Sequence, residues 1–196
     1  MLIITIKQGK EKSLLARQPW IYASAVERVD GRFDERAKLG ATAVVRSSSG
    51  QFLARAAHNP KSQIRARVWS FDQNEPVDHA MIKRRVKEAV AKRTPKNNSP
   101  LLHLIKGEED GLSGLVVDWH RGQQSWLVCE FQSAGVDAWK VSIVQALMAE
   151  TGCANVYERA DELIRKGEGL PVTSGALAGD EPPDEILMKK KVTKKC

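Results

Sequence analysis

With 196 residues, 42% of them hydrophobic, and a formal net charge of +7, the chain can hold one large domain or two small ones around a buried core. No run of about 18 or more apolar residues is present, and Met1–Ile6 is too short and lacks the basic flank of a signal peptide. A membrane-spanning helix is therefore excluded and a cytoplasmic protein is expected.

Taken in chain order, the first 75 residues predict short strands with frequent turns. Residues 2–6 form a strand, 13–17 a helical turn stopped by Pro19, and 25–29 a strand ended by Asp30-Gly31. Residues 41–46 and 51–57 flank the loop Ser47-Ser48-Ser49-Gly50 as a hairpin, and 63–71 follow the turn at Asn59-Pro60. Such spacing predicts a small barrel. Residues 78–93 predict a helix with Asp78 as N-cap, because Ile82, Val86, Ala89 and Val90 make one apolar stripe. A break follows over 94–100. Then come strands at 101–105, 115–119 and 125–131, one continuous helix over 136–150 ended by Gly152, and a strand at 153–157. A short helix over 161–166 precedes a loop or extended segment over 167–183. The fold class is α+β: a small β pseudo-barrel followed by a small α/β domain with a hairpin and packed helices. The domain boundaries are 1–75 and 76–185, with a Lys-rich tail at 186–196.

Charge is divided along this order. Residues 1–75 carry 13 Lys+Arg against 7 Asp+Glu, whereas residues 111–187 carry 5 against 12. A polyanion would meet the N-terminal half first. Within 63–71, period-two alternation puts Arg65, Arg67, Trp69 and Phe71 on one face and Ile64, Ala66, Val68 and Ser70 on the other. Two arginines two residues apart on a strand lie about 7 Å apart, a span close to that of neighbouring phosphates. Pairing with acids across the sheet is the alternative for the same two residues.

Five segments, in order, resemble the bacterial S-adenosylmethionine-dependent large-subunit (23S) rRNA cytosine-C5 methyltransferases. They are Gly9-Lys10-Glu11; Arg17-Gln18-Pro19-Trp20-Ile21-Tyr22; Asn59-Pro60-Lys61-Ser62-Gln63-Ile64-Arg65-Ala66-Arg67; Gly107-Glu108-Glu109-Asp110-Gly111-Leu112-Ser113-Gly114; and Tyr157-Glu158-Arg159-Ala160-Asp161 with Arg165 and Glu168-Gly169-Leu170. The resemblance implies an RNA-binding PUA domain in front of the family's central domain. Gln18 stands where the family tends to have His, and Ser113 where it tends to have Pro. The family continues into a Rossmann-like domain that binds S-adenosylmethionine; here Ile186–Cys196 matches nothing expected, so a chain cut short of that domain is expected.

Cytosine C5 methylation needs a cysteine thiolate, a nearby acid and a bound methyl donor. No glycine-rich turn between a strand and a helix offers a donor site, and Asp180-Glu181-Pro182-Pro183 follows a loop-like stretch. Cys129 and Cys153 are expected to be small buried residues, and Cys196 lies at a terminus. The three cysteines and His58, His79, His103 and His120 fit no zinc spacing. No catalytic residue, cofactor site or metal site is therefore expected in this chain, which alone should be inactive. RNA contact is expected from Arg17, Trp20, Arg46, Arg55, Lys61, Arg65 and Arg67, with Tyr22 and Trp69 as further stacking candidates. Trp20 can equally be a core aromatic. The partner expected is ribosomal RNA, with a second copy or a separate methyltransferase domain beside it. A freestanding RNA-binding adaptor and a protein-interaction module that uses the acidic 111–187 segment remain as alternatives.

Overall fold

The computed structural model describes residues 1–94 and 98–188. Pro95, Lys96 and Asn97 of the predicted break, and the lysine-rich tail from residue 189 on, lie outside the described residues.

The fold is α+β, with two sheets and helices between them. The first sheet is a curled half-barrel of six strands in the order β2-β6-β5-β4-β1-β3: β1 (Leu2–Ile6), β2 (Trp20–Tyr22), β3 (Val26–Asp30), β4 (Ala41–Arg46), β5 (Phe52–His58) and β6 (Ile64–Ser70). β1 joins the ends of the chain order, pairing parallel with β4 and antiparallel with β3. Leu2, Ile4, Ile6, Ile21, Val45, Leu53, Ala66 and Val68 fill its concave side, closed by Leu14 of α1 (Lys12–Leu15). The strand β2 and the helix α2 (Phe33–Ala37) were not predicted. β2 has only three residues, too few to show a period, and α2 is a solvent-side turn held by Glu35, whose carboxylate accepts from the Arg32 amide at 3.1 Å.

The second sheet has the order β11-β10-β9-β8-β7, with β7 (Leu101–Lys106), β8 (Leu115–His120), β9 (Trp126–Phe131), β10 (Val156–Glu158) and β11 (Gly175–Ala178). Only β9 and β10 run parallel in it. α3 (His79–Arg93) forms as predicted: the Asp78 carboxylate accepts from the Met81 amide at 2.9 Å, and Met81, Ile82, Val86, Ala89 and Val90 are buried. The expected single helix over 136–150 is two, α4 (Ala134–Ala138) and α5 (Lys140–Thr151), bent at Trp139. The two halves answer to different partners. α5 packs on α3, whereas α4 lies on β4 and β5 of the first sheet. A Cβ on Gly40 would stand 2.2 Å from the Ala134 carbonyl, and one on Gly135 would stand 2.7 Å from the Ala57 Cβ, so each surface supplies a glycine where the other comes close.

One further strand boundary is corrected. The strand predicted at 153–157 begins later, at Val156. Cys153 and Asn155 are spent on loop contacts, with the Asn155 amide and the Cys153 thiol both on the Ser125 carbonyl. The short helix expected over 161–166 forms as α6 (Glu162–Gly167), and within the loop or extended stretch 167–183 residues Gly175–Ala178 pair with β10 as the edge strand β11. α7 (Asp184–Met188) ends the described chain.

The larger core lies between the second sheet and α3, α4 and α5, and it takes Ala57 and Trp69 from the first sheet. β6 is thus covered on both sides: Ala66 and Val68 point into the first core, and Trp69, 5% exposed, into the second. Trp69 is accordingly a core residue and no surface platform.

Candidate nucleic-acid interface

The face of β6 that carries the arginines meets the second sheet in a polar seam. Arg67 pairs in register with Trp20 on β2, and its guanidinium lies 5.5 Å from the Trp20 ring centroid. One end of that guanidinium reaches Glu108 at 3.4 Å, the other Glu168 at 3.3 Å, and its side chain is only 15% exposed. Glu168 sits just beyond α6 and is 6% exposed. Its two carboxylate oxygens also accept from the Ser62 hydroxyl at 2.9 Å and the Asn59 amide at 3.0 Å. Glu108 lies in the tight turn Gly107–Asp110, which Gly111 ends in the left-handed conformation at φ 67°. It accepts from the Trp20 indole at 2.9 Å and the Ser113 hydroxyl at 2.6 Å. Partial burial pushes the Glu108 carboxyl up, but the hydrogen bonds from Ser113 and Trp20, with Arg67 beside them, outweigh it and hold the group below its usual value.

The seven candidate residues divide into three groups. Trp20 and Arg67 belong to the seam, and Trp20 is 39% exposed. Arg55 and Arg65 are half-buried and donate to carbonyls, Arg55 to Gln73 at 3.0 Å and Arg65 to Pro60 at 2.9 Å. The side chains of Arg17, Arg46 and Lys61 make no hydrogen bond or ion pair among the described residues. The three do not converge. Arg17 and Arg46 lie at the end of the sheet where β6 and β4 finish. Lys61 lies at the other end, in the turn between β5 and β6, with its aliphatic stem against Gly169. Close to it His58 is 2% exposed, and burial, with Arg65 adding to it, pushes its imidazole down to about 4.

The acids, hydroxyls and amide of the seam, Glu108, Glu168, Ser113, Ser62 and Asn59, were not among the predicted site residues. A signal for them was present, since all lie within the segments that resemble the methyltransferase family. Those segments, scattered in sequence, come together where the two sheets meet.

No residue here is set up as a nucleophile. Cys129 is fully buried, and burial, with Glu158 and Asp118 nearby, drives its thiol far up, away from the reactive thiolate. In the second sheet, β9 leads through a turn and the helices α4 and α5 into the parallel strand β10. A methyl donor such as S-adenosylmethionine would need the turn at Ser133–Gly135 open. Instead Ser133 and Ala134 are buried, and Gly135 is pressed on Ala57 and on the Trp69 ring. The residues there do not fit that cofactor. Asp180-Glu181-Pro182-Pro183 follows the exposed edge strand β11, and the Asp180 carbonyl accepts from the Trp126 indole at 3.1 Å. Among the described residues no cluster of His, Cys, Asp or Glu could hold a metal ion, and no helix is long and apolar enough to cross a membrane.

A curled six-stranded sheet closed by a short helix and docked on a second sheet defines the class: a protein with a PUA-like domain. Residues 4–71 match the family described as "PUA-like domain". The chain is 38% identical over 190 residues to ribosomal RNA large subunit methyltransferase I of Aliivibrio fischeri, and 40% identical over 190 residues to the protein of the same name from Pseudoalteromonas atlantica. Both alignments cover 95% of this chain and 46% of the relative. The chain therefore spans about half the length of the curated relatives it matches. A solved structure from Streptococcus mutans, described as a SAM-dependent methyltransferase, has the same fold over 93% of this chain and 44% of its own, with a TM-score of 0.71 at 15% identity.

Proposed function

We propose that this chain is the RNA-docking part of an rRNA methyltransferase, that its partner is ribosomal RNA and that the reaction it serves is methylation at cytosine C5. The observation that carries this reading is the PUA-like sheet with Arg17, Arg46 and Lys61 left uncommitted by the protein's own acids. In this reading those three residues meet phosphates, and Arg55 and Arg65 supply half-buried charge close by. Trp20 and Arg67 enter as the pair that fixes the face on the second sheet. In this reading S-adenosylmethionine and the attacking thiolate are supplied from outside the described residues, which alone transfer no methyl group. The compartment is the cytoplasm, where ribosomal RNA is modified.

Filter binding of the full chain to large-subunit rRNA at two salt concentrations tests the reading. Affinity should fall steeply with salt, because phosphate contacts release counterions. Salt-independent or absent binding overturns it. The cytosine assignment is tested separately. The chain, added to a methyltransferase assay as a competitor for the rRNA substrate, should inhibit cytosine C5 methylation of large-subunit rRNA and leave other methylations unchanged.

A further inference from the structure

Arg17 is the one non-glycine residue among those described with a left-handed backbone, at φ 63°. The turn around it is firmly held: its own amide donates to the Leu14 carbonyl and that of Gln18 to the Ser13 carbonyl, each at 2.9 Å. This conformation is unfavourable for a side chain bearing a Cβ, and it persists where surrounding structure imposes it. Here it sets the Arg17 guanidinium 5.1 Å over the Phe71 ring, at a cleft of about 460 Å³ between the first sheet and the turn after β7. One wall is apolar, with Pro19 and Phe71 partly exposed over the buried Val68 and Trp69.

The charges on the opposite wall are already used. Arg85 donates to the Gly111 carbonyl at 2.7 Å and to Glu75 at 3.1 Å. Glu109 is met by Lys92 and Arg93, and Glu108 by Ser113, Trp20 and Arg67. Arg17, stacked on Phe71, is the cation of the cleft whose side chain has no ion pair or hydrogen bond among the described residues. An apolar wall beside a guanidinium without an acidic partner suits a ligand that is an apolar ring joined to an anion. An unpaired nucleotide has that form. A duplex keeps its bases inside the stack and cannot place one in a concavity of this size.

We propose that this cleft receives one unpaired nucleotide of the bound RNA, its base along Pro19 and Phe71 and its phosphate on Arg17. The inference rests on the RNA-binding reading above. Arg17→Gly is the informative variant, because glycine accepts φ 63° without strain and the fold should hold while the guanidinium is lost. Fluorescence anisotropy of the full chain would be compared for a stem-loop oligoribonucleotide, the corresponding uninterrupted duplex, and AMP as competitor. The expected result is a loss of about tenfold or more for the stem-loop, a change of less than about twofold for the duplex, and an unaltered melting temperature. Photocrosslinking from 4-thiouridine in the loop should map to peptides containing residues 17–20 or 69–71. Strong stem-loop binding that Arg17→Gly leaves unchanged overturns the cleft and keeps the RNA reading. Equal losses on stem-loop and duplex make Arg17 a general backbone contact and also overturn it. Displacement of the stem-loop by AMP at matching affinity identifies a free-nucleotide site instead. No binding of either RNA by the unaltered chain removes the RNA reading itself.

Discussion

Two arginines flank the β2 strand, and each holds its guanidinium over an aromatic ring, Arg67 over Trp20 at 5.5 Å and Arg17 over Phe71 at 5.1 Å. By sequence they are equivalent: basic, beside aromatics, within segments that resemble the same family. In the fold they are opposites. Arg67 is held between two carboxylates that come from the second half of the chain, and it joins the sheets. Arg17 faces a cleft whose other charges are satisfied among themselves. The partner, more than the arginine, decides whether a positive charge serves the fold or waits for a ligand. A partner supplied from about a hundred residues away leaves no local mark.

The comparison is broken most forcefully at Glu168. Its carboxylate gathers Arg67, Asn59 and Ser62 out of water, so Glu168→Ala takes a charged acceptor from all three, leaving Arg67 one carboxylate, Glu108, and the Asn59 amide only the carbonyl of residue 168. A destabilisation of about 3 kcal/mol is expected from chemical denaturation. An effect below about 1 kcal/mol would mean the seam contributes little to joining the sheets. Arg67→Met comes next, at about 2 kcal/mol, since Glu168 keeps Asn59 and Ser62, and Glu108 keeps Trp20 and Ser113. RNA affinity per folded molecule should change less than about twofold in that variant, against the larger loss expected at Arg17. A reversed ranking would return Arg67 to the ligand face.

These two variants also show what the sequence could disclose. The β4 strand, the α3 helix and its Asp78 cap are written locally: alternation, a 3.6-residue stripe, and a carboxylate at the start of the helix. Their predicted bounds agree with the structure to within a residue. Where tertiary packing decides, local reading fails. The bend at Trp139 exists because α4 and α5 lie on different surfaces. β11, of Gly, Ala and Leu, has no strand pattern and forms because β10 offers it an edge. The site divided in the same way. Basic residues on one face of β6 were legible from alternation, but the acids that meet Arg67 were not. Ser113 is an instructive case. At a position where the resembled family tends to have Pro, its hydroxyl donates to Glu108, a bond that proline cannot make.

A smaller effect distinguishes the interior of the first sheet from its surface by pH. His58 is buried in neutral form, its imidazole pushed from 6.5 to about 4. Between those values the unfolded chain takes up a proton at this site and the folded chain does not. Stability should therefore fall as pH drops from about 6.5 toward 4, with the contribution fully present above that window. Denaturation midpoints at pH 7 and pH 5 measure the slope. His58→Gln should flatten the part due to this residue, and an unchanged slope would place the imidazole in contact with water.

The smallest expected change tests the far end of the sheet. Lys61 lies opposite Arg17 along β6, its stem against Gly169 and its ammonium without a partner among the described residues. As a point charge on an exposed turn it can meet a phosphate but cannot read a base, so Lys61→Ala should weaken RNA binding by the same factor for stem-loop and duplex. The loss expected is about threefold, and the slope of log affinity against log salt should fall by about one unit. Stability should move by less than about 0.5 kcal/mol, as for other exposed charges. The pattern matters more than the size: a uniform loss at Lys61 beside a stem-loop-selective loss at Arg17 would show that the two ends of one sheet do different work, one holding the RNA backbone and the other accepting a base. A stem-loop-selective loss at Lys61 would mean that the RNA enters from the β5–β6 turn, and the roles of the two ends would be exchanged.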